Sequence, residues 1–385
     1  MKSKMLIALI FIFLGKHEQT CAQTWSDSLD TYAREKYLPP STYHWNWMNA
    51  SLLYTMIKQY DYSPEQHKKL YLDYVHKAMD KTYSIANGKI PNAVASGIGM
   101  ALLARITGDE KYKKACKKIY SDYKKIKRTQ EGGVSHLRKD LELWDDTIFM
   151  IGQFLLEMYK ATGDAAYIDE LVLQIRVHRD KLQNKEWGLW VHGWDSDQKS
   201  HCTFCGQLNW PDKTTGKSAE IWGRGNGWII VTLSDALETI PKSHPQWAEL
   251  AGYLKEMIAH LPELQNKENG HWYQLPTRPL DPKNFIESSS TAMFSFGITK
   301  AIELGIVTDS SFKKSIDLAY NGLREYSIKQ ISEKYLTTKN VCKGTCIGDK
   351  DYYLKRKVKD EKPYSIGMFI RFGHEYERMN NLLVK

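Results

Sequence analysis

"TGDAAY", residues 162–167, repeats the pattern of "TGDEKY", residues 107–112, after a step of 55 residues. Two glycines, Gly133 in "EGGVSH" and Gly188 in "EWGLWVH", are separated by the same step. On both sides of each Thr-Gly-Asp, apolar residues recur every three or four positions, which is the period of an amphipathic helix. Thr-Gly is typical of a helix C-terminus, and Asp is typical of the N-cap of the next helix. Each repeat therefore predicts a helical hairpin.

The length of this repeat predicts the fold class. The 385-residue chain, without a short N-terminal segment, has room for about six such hairpins. Six hairpins closed into a ring form an all-α (α/α)6 barrel, whose inner helices present loops to a central cleft. An open solenoid is the alternative, but degenerate, loop-rich repeats favour a barrel. Two aromatic segments, residues 188–194 and 270–275, predict hairpin-like loops at its mouth.

The N-terminal stretch "MKSKMLIALIFIFLGKHEQTCAQTW" combines two lysines, an apolar run over residues 5–14 and small residues near Ala22. This layout is typical of a secretory signal peptide, and the run is too short to span a bilayer. A core helix is the alternative, but the flanking residues do not suit one. We therefore expect a signal peptide at residues 1–22, one catalytic barrel domain at 23–385, and export to the periplasm or beyond the cell. No later apolar run has the length of a membrane span.

The composition indicates an acidic carbohydrate partner. The formal net charge is +9, which favours acidic partners. The basic residues are spread over helical segments such as 111–128, which is typical of a solvated helix face and disfavours nucleic acid as the partner. The chain contains 12 tryptophans. Indole rings stack on the apolar faces of sugars, although they also pack in protein cores.

"LWDDTIFM", residues 143–150, places Asp145 and Asp146 at the start of a strongly apolar helix. An aspartate at such a position commonly caps the helix, and the helix dipole favours its charged form. Only one of the two adjacent aspartates is needed to cap the helix, so the other is free for another role. Because burial among aromatic side chains raises the pKa of a carboxyl group, the remaining aspartate is a candidate proton donor.

Two histidines lie at nearly corresponding positions of the two repeats. His192 lies between Trp190 and Trp194 in a glycine-bounded loop, and His136 lies three residues after Gly133. A lone histidine is more often a surface or core residue. A histidine flanked by two indoles is nevertheless a candidate for ligand binding, and we expect both histidines at the barrel mouth.

"EIWGRGNGW", residues 220–228, has the spacing Gly-x-Gly-x-Gly and follows no apolar strand, which disfavours a dinucleotide or phosphate loop. We expect Arg224 to lie between Trp222 and Trp228, as a planar fork for a carboxylate with an indole on either side for a sugar ring. Its glycines would let the backbone approach a ligand closely. A tight turn with both tryptophans packed in the core is the alternative.

The cysteines form two close pairs, Cys202 with Cys205 and Cys342 with Cys346. Zinc ligation by these pairs is one interpretation. Disulfides or isolated thiols are more typical of an exported protein. Cys116 lies on an amphipathic segment and is expected in the core. We predict no metal and no cofactor.

With these motifs in order, the chain resembles the unsaturated glucuronyl and rhamnogalacturonyl hydrolases, glycoside hydrolase families 88 and 105, and most closely the latter. The resemblance covers nearly the whole chain beyond the N-terminal segment and rests on successive segments: "TGDEKY", "WDDTIFM", "GLWVHGWD", "EIWGRGNGW", "ESSSTAMFSFGI", and "VCKGTCIGDKDYY" with "SIGMFI". It implies an (α/α)6 barrel, in agreement with the repeats. It also implies removal of a 4,5-unsaturated uronic acid from the non-reducing end of acidic oligosaccharides left by a polysaccharide lyase.

The resemblance implies that the reaction is the hydration of a vinyl ether. An aspartic acid protonates C4, positive charge develops at C5, and water adds at C5. The family pattern selects Asp146 as the general acid and base, and leaves Asp145 as a cap or a supporting residue. The family's substrate-binding positions match the following residues: Tyr43, His136, His192, Trp222, Arg224 and Trp228.

One residue departs from the family pattern. Family members usually carry a second aspartate in the loop that here reads "KIPNAVASGIGM", residues 89–100, and the nearest counterpart is Asn92. An amide binds a sugar hydroxyl or orients water, but it cannot take up a proton. The departure implies either a binding role for Asn92 or a changed substrate preference or activity.

Two further functions stay open from the sequence. Asn92 and the many tryptophans are consistent with a carbohydrate-binding barrel that has no catalytic activity. A glycosidase acting on saturated substrates needs a second carboxylate at the cleft. The candidates for that second carboxylate are Asp195, Glu220 and Glu287.

Overall fold

The computed structural model describes residues 24–199 and 209–382, and most of these residues are helical. The α-helices are α1 (Trp25–Tyr32), α2 (Trp47–Tyr62), α3 (Glu65–Thr82), α4 (Pro91–Val94), α5 (Gly97–Thr107), α6 (Glu110–Tyr123), α7 (Thr147–Thr162), α8 (Ala166–Leu182), α9 (Gly223–Thr239), α10 (Trp247–Ile258), α11 (Leu261–Leu264), α12 (Ser288–Glu303), α13 (Ser310–Gly322), α14 (Lys350–Leu354) and α15 (Pro363–Met379). Short π-helical segments follow α1 and α13 at Ala33–Tyr37 and Leu323–Ser327, and short 3-10 segments lie at Pro40–Thr42 and Tyr83–Ile85.

The strands are short and form three antiparallel pairs within the described residues. They are β1 (Glu142–Trp144) with β2 (Gly193–Asp195), β3 (Ile328–Gln330) with β4 (Leu336–Thr338), and β5 (Val341–Cys342) with β6 (Val358–Lys359). The predicted aromatic loop at residues 188–194 leads into β2, and the one at residues 270–275 forms an isolated antiparallel bridge between Tyr273 and Ile286. The signal peptide predicted at residues 1–22 and the pair Cys202 and Cys205 fall outside the described residues.

Six of the described helices form a closed inner ring. In chain order α2, α5, α7, α9, α12 and α15 each pack against the next, and α15 packs back against α2. Each inner helix is covered by an outer helix: α3, α6, α8, α10 and α13 follow their inner partners, whereas α1 covers α15. The sixth hairpin is therefore built from the two ends of the chain. This arrangement confirms the predicted (α/α)6 barrel.

Inner and outer helices differ in how much of their surface is apolar. The inner helix α7 is apolar on nearly all sides, and twelve successive residues from Thr147 to Met158 are buried. The outer helix α6 buries a single stripe, which consists of Tyr112, Ala115, Cys116, Ile119 and Tyr123, and exposes its lysines to solvent. The stripe confirms that Cys116 lies in the core. Among the described helices, none combines the length and the apolar character that a membrane crossing requires.

Both Thr-Gly-Asp turns have the predicted glycine C-cap, and the first has the predicted aspartate N-cap, whereas the N-cap of α8 is Ala165. Gly108 and Gly163 end α5 and α7 with φ angles of 67° and 72°, in the left-handed region. Asp109 caps α6 by accepting a hydrogen bond from the N–H of Lys111 at 2.8 Å. The equivalent Asp164 accepts one from the N–H of the first residue of α8 at 3.0 Å. The repeated turn therefore reverses the chain between an inner and an outer helix.

We predict opposite stability effects for two exposed glycines that an added methyl group would not crowd. A Cβ atom at Gly163 or at Gly252 of α10 would meet no heavy atom within 4 Å, but only Gly163 has a positive φ angle. Gly163→Ala should lower the free energy of unfolding by about 1 kcal/mol, because the left-handed conformation is unfavourable for alanine. Gly252→Ala should raise it by about 0.5–1 kcal/mol, because alanine favours a helix interior. Urea denaturation measures both, and effects of the same sign would contradict the assigned conformations.

Buried charges fill the barrel at the C-terminal ends of the inner helices. The Asp235 carboxylate accepts hydrogen bonds from Tyr54 at 2.7 Å and Gln153 at 2.9 Å. It also lies 2.9 Å from Lys58 Nζ and 3.6 Å from Arg371. Burial raises the pKa of Asp235, but the two cations outweigh burial and hold the pKa below its ordinary value of 3.8. The predicted active-site residues all lie towards the other, N-terminal ends of the inner helices.

Candidate active site

The two adjacent aspartates lie in the turn between β1 and α7. The N–H of Asp145 donates to the carbonyl oxygen of His192 at 3.0 Å, which ties this turn to the loop before β2. Asp146 occupies the cap position of α7, but its side chain makes no capping hydrogen bond. Both carboxylate oxygens of Asp145 lack a hydrogen-bond partner among the described residues. The interpretation of either aspartate as a helix cap is therefore wrong, because neither carboxylate forms a hydrogen bond with an N–H group of α7.

The carboxyl groups of Asp145 and Asp146 differ in their exposure to solvent. The Asp145 side chain is 0% exposed, whereas that of Asp146 is 14% exposed. Burial, followed by the neighbouring Asp146, raises the pKa of Asp145 well above 3.8. Burial also raises the pKa of Asp146, against the opposing effects of His136 and Arg224. Asp146 is therefore the carboxyl group of the pair that both retains a proton more readily than usual and reaches the solvent.

His136 lies beside Asp146. Its Nδ1 atom is 2.8 Å from Thr147 Oγ1 and 3.5 Å from Asp146 Oδ1. Its Nε2 atom is 3.4 Å from the amide nitrogen of Asn92, and its ring stacks on Trp144 with centroids 4.6 Å apart and an angle of 4°. Burial lowers the pKa of His136 despite the opposing charge of Asp146, which favours a neutral imidazole. The structure thus brings Asn92, His136 and Asp146 into one cluster.

His192 is fully buried and also contacts Trp144. Its Nδ1 atom is 2.7 Å from the Tyr353 hydroxyl group, and its ring lies 4.4 Å from Trp222 and 5.5 Å from Trp144. Burial, followed by His136, lowers the pKa of His192 well below 6.5, so that the imidazole is neutral at ordinary pH. The sequence reasoning did not assign Trp144 or Tyr353 to the site, although each lies in or beside a motif that it used.

Arg224 is held by the protein itself. Its guanidinium group donates to the carbonyl oxygens of Cys342 at 2.9 Å and Lys343 at 3.0 Å. Its Cζ atom lies 4.7 Å from the Trp222 ring centroid and 4.5 Å from that of Tyr364. The residue is 1% exposed. The guanidinium group therefore holds the backbone of residues 342–343 and the rings of Trp222 and Tyr364 in place beside the cleft.

Trp228 and Tyr43 lie in the core. The backbone is helical from Gly223, so Trp228 falls one turn after Arg224 and stacks on Phe149 with ring centroids 4.2 Å apart. The expectation that Arg224 lies between Trp222 and Trp228 is wrong, because Tyr364 covers the second face of the guanidinium group. The Tyr43 hydroxyl group donates to Ser96 Oγ at 3.0 Å from a fully buried position. The described contacts do not bring Trp228 or Tyr43 to the cluster around Asp146.

The carboxylates considered for a two-carboxylate glycosidase have structural partners. Glu287 caps α12 and accepts a hydrogen bond from the N–H of Ser290 at 2.7 Å. Glu220 forms a two-point ion pair with Arg278, at 2.6 and 2.8 Å. Asp195 is buried in β2 and accepts a backbone hydrogen bond. These contacts disfavour the mechanism that needs a second free carboxylate.

The described residues provide no group of three or more His, Cys, Asp or Glu side chains placed to hold a metal ion. Among the described cysteines, Cys116 and Cys342 are free thiols, and Cys346 is disulfide-bonded. Cys342 and Cys346 therefore do not act together as a pair of zinc ligands. The Cys342 thiol is buried, and its backbone carbonyl group serves Arg224.

Known proteins share both the sequence pattern and the fold. Residues 19–380 match the model of Glycosyl Hydrolase Family 88. The unsaturated rhamnogalacturonyl hydrolase YesR of Bacillus subtilis is 26% identical over 269 residues, which cover 67% of this chain and 70% of that protein. An unsaturated 3S-rhamnoglycuronyl hydrolase of an Alteromonas species is 26% identical over 196 residues, which cover 50% of this chain and 43% of that protein.

Among solved structures, a family 105 glycoside hydrolase from C. acetobutylicum superposes with a TM-score of 0.80 at 24% identity, covering 92% of this chain and 100% of that one. This likeness shows the barrel fold. The family match, which extends over almost the whole chain, also assigns the activity class. The chain belongs to glycosyl hydrolase family 88 and is a glycoside hydrolase related to the unsaturated rhamnogalacturonyl and glucuronyl hydrolases.

Proposed function

We propose that this enzyme removes a 4,5-unsaturated uronic acid from the non-reducing end of lyase-generated oligosaccharides by hydrating its C4=C5 bond. The names of both curated relatives refer to unsaturated substrates, which supports this substrate class. The observation that carries the mechanism is the state of Asp146. Its carboxyl group is partly open to solvent, has a raised pKa and makes no capping hydrogen bond.

A single carboxyl group is sufficient for this reaction. Asp146 donates its proton to C4, and the C4=C5 electron pair forms the new C–H bond. The positive charge at C5 is shared with the ring oxygen, beside the carboxylate that has just formed. A water molecule then adds at C5 and returns a proton to Asp146. The resulting hemiketal opens, and the remaining sugar leaves from C1. Because Asp146 ends protonated, the cycle restores the acid.

The surroundings of Asp146 suit the donation of a proton. Burial lowers the pKa of both His136 and His192, which disfavours the imidazolium ions that would stabilise the ionised acid. For Asp146 itself, burial outweighs the opposing effects of His136 and Arg224 on its pKa. Arg224 carries a positive charge, which attracts an anionic substrate. Its guanidinium group is already bonded to two carbonyl oxygens and stacked between two rings. Trp144 and Trp222 are buried and pack against His136 and His192, so they hold the two imidazole rings in place beside the acid.

Deuterium labelling tests this mechanism against direct attack at the anomeric carbon. In D2O, hydration places deuterium at C4 of the released 4-deoxy-5-keto acid in the same turnover that frees the leaving sugar. Direct attack at C1 would first release a uronate that still contains its C4=C5 bond. NMR of the early products distinguishes the two. Release of the intact unsaturated uronate at the rate of bond cleavage would contradict the proposal.

We predict that activity is lost as the pH rises. The general acid must be protonated, and the pKa of Asp146 lies above 3.8 because burial outweighs His136 and Arg224. The value of kcat/KM should therefore fall as the pH rises through the raised pKa of Asp146, with a midpoint above the ordinary range of an aspartate. A pH series of kcat/KM measures this. An activity that increases with pH throughout the acidic and neutral range would contradict the assignment of Asp146 as proton donor.

We also propose that the protein is exported, because residues 1–22 have the layout of a signal peptide. Mass spectrometry of the protein recovered from its native compartment should show a chain that begins near Gln23. A mature protein that retains Met1 and stays in the cytoplasm would contradict export.

A further inference from the structure

Asp145 and His192 form a buried polar pair that the proposed mechanism does not use. Oδ1 of Asp145 lies 3.8 Å from Nε2 of His192, and both side chains are 0% exposed. Neither oxygen of Asp145 has a hydrogen-bond partner among the described residues, and the same is true of Nε2 of His192. Buried polar atoms without partners are unfavourable, and few proteins retain them without a functional reason. The Asp145 carboxyl group and His192 Nε2 are therefore near each other and both lack partners, and Asp145 directly precedes the proposed acid, Asp146, in the chain.

The backbone of α9 holds the Asp145 carboxyl group in place. A Cβ atom added at Gly225 would lie 2.0 Å from Asp145 Oδ2 and 2.4 Å from the carboxyl carbon, so that only a glycine fits there. The N–H of Asp145 is fixed by the carbonyl group of His192 at 3.0 Å. The carboxyl group is therefore confined between α9 and the loop that carries His192. A small rotation towards Nε2 would close the remaining gap.

The charged and titratable groups around the pair favour a neutral state for both members. Asp146 adjoins Asp145 in the chain, Arg224 faces it from α9, and Tyr353 faces it from α14. Burial is the largest influence on both, raising the pKa of Asp145 and lowering that of His192. His136, which stacks on Trp144, also lowers the pKa of His192, as does Arg224.

A neutral pair fixes the direction of the hydrogen bonds. A protonated carboxyl group has one O–H to donate, and a neutral imidazole has one nitrogen that donates and one that accepts. Nδ1 of His192 already lies 2.7 Å from the Tyr353 hydroxyl group. If Nδ1 carries the hydrogen and donates to Tyr353, Nε2 is the acceptor and faces the O–H of Asp145. With this arrangement, the O–H of Asp145 and both nitrogens of His192 have hydrogen-bond partners.

We propose, on the basis of the proposed function, that Asp145 is a positioning residue. Its protonated carboxyl group donates a hydrogen bond to Nε2 of His192 and thereby holds His192 as the neutral Nδ1–H tautomer. The contact shortens when the site closes on substrate, as contacts in ligand-free active sites commonly do. Its effect is to fix which nitrogen of the already neutral His192 carries the hydrogen, and so the direction of the hydrogen bond between His192 and Tyr353.

Two variants at Asp145 separate this role from a purely structural one. Asp145→Asn keeps the shape and supplies an amide N–H to Nε2, whereas Asp145→Val removes the donor. We expect kcat/KM of Asp145→Asn to stay within about threefold of the wild type, and that of Asp145→Val to fall by about tenfold or more. The Nδ1–H tautomer of His192 should be lost in Asp145→Val and kept in Asp145→Asn. Equal losses of activity in both variants, or an unchanged His192 tautomer in Asp145→Val, would overturn the proposal.

Nitrogen NMR of histidine-labelled protein gives a readout that does not depend on turnover. The His192 signals, assigned with His192→Gln, should show the neutral Nδ1–H tautomer across the neutral pH range in the wild type. An Nε2–H tautomer or a cation in the wild type would overturn the proposal, even if Asp145→Val fails to fold. If the wild type does not turn over unsaturated oligosaccharides, the proposed function is refuted. The tautomer of His192 can still be measured in that case and still tests the role of Asp145.

Discussion

Asp146→Asn should lower kcat on unsaturated oligosaccharides by about a thousandfold or more, because the loss of a general acid costs a factor of this order. Asparagine keeps the size of the side chain but has no proton of suitable acidity to give to C4. KM should change little, since the amide fills the same partly exposed position beside His136. Steady-state kinetics on a lyase-generated disaccharide measures both quantities.

The matched control is Asp109→Asn. Asp109 is an exposed aspartate that caps α6 at the far end of the barrel, and asparagine caps a helix equally well. Its kinetics and stability should equal those of the wild type. An Asp146→Asn enzyme that retains a tenth or more of the wild-type kcat would show that another group supplies the proton.

Arg224→Ala should lower the free energy of unfolding by about 3–5 kcal/mol, the range found when one member of a buried charged arrangement is removed. The substitution leaves the buried Glu287 carboxylate, 3.4 Å away, without its cation. It also removes the guanidinium donor to the carbonyl oxygens of Cys342 and Lys343 and the cation between Trp222 and Tyr364. Urea denaturation measures the loss. Because residues 342–343 and Trp222 lie beside the cleft, kcat/KM should fall as well.

Arg224→Lys distinguishes support from direct substrate binding. Lysine keeps the charge but cannot span two carbonyl oxygens with a planar fork, so we expect a clear loss of stability together with a rise in KM. A raised KM with unchanged stability would instead assign Arg224 to the substrate. The control is Lys69→Ala, because the Lys69 and Asp73 side chains are 81% and 50% exposed in their ion pair. An exposed pair of this kind contributes about 1 kcal/mol or less.

The fold was predictable because its signals are local. The two Thr-Gly-Asp turns and the spacing of apolar residues identify two successive hairpins from a few dozen residues each, and the repeat length gives the number of hairpins. The sequence does not show that α1 and α15 form the sixth hairpin, because that pairing joins residues more than 300 positions apart.

The site was predictable where its motifs lie at the N-terminal ends of the inner helices or in the loops before them. Asn92, His136 and Asp146 meet there, and Trp222 contacts His192. Trp228 was placed too close to the cleft, because a glycine-rich stretch that looked like a tight turn is the first part of α9.

The contributions of the C-terminal segment were not predictable. Tyr353 reaches His192 and Tyr364 covers Arg224 across long separations in the chain, which no local pattern encodes. Likewise, the unpartnered state of Asp145 follows from the burial of its carboxyl group against α9. The sequence shows that two aspartates are adjacent, but only the packing distinguishes the exposed one from the buried one.

The most direct test of the central claim follows the absorbance of the C4=C5 double bond during incubation with lyase-generated fragments of pectic rhamnogalacturonan, ulvan and glycosaminoglycans. We predict that the wild-type enzyme removes this absorbance on at least one of these fragments as the sugar is released, and that Asp146→Asn leaves it unchanged over the same period. Persistent absorbance on all the fragments with the wild type, or equal loss with Asp146→Asn, would contradict the claim that Asp146 hydrates an unsaturated uronic acid.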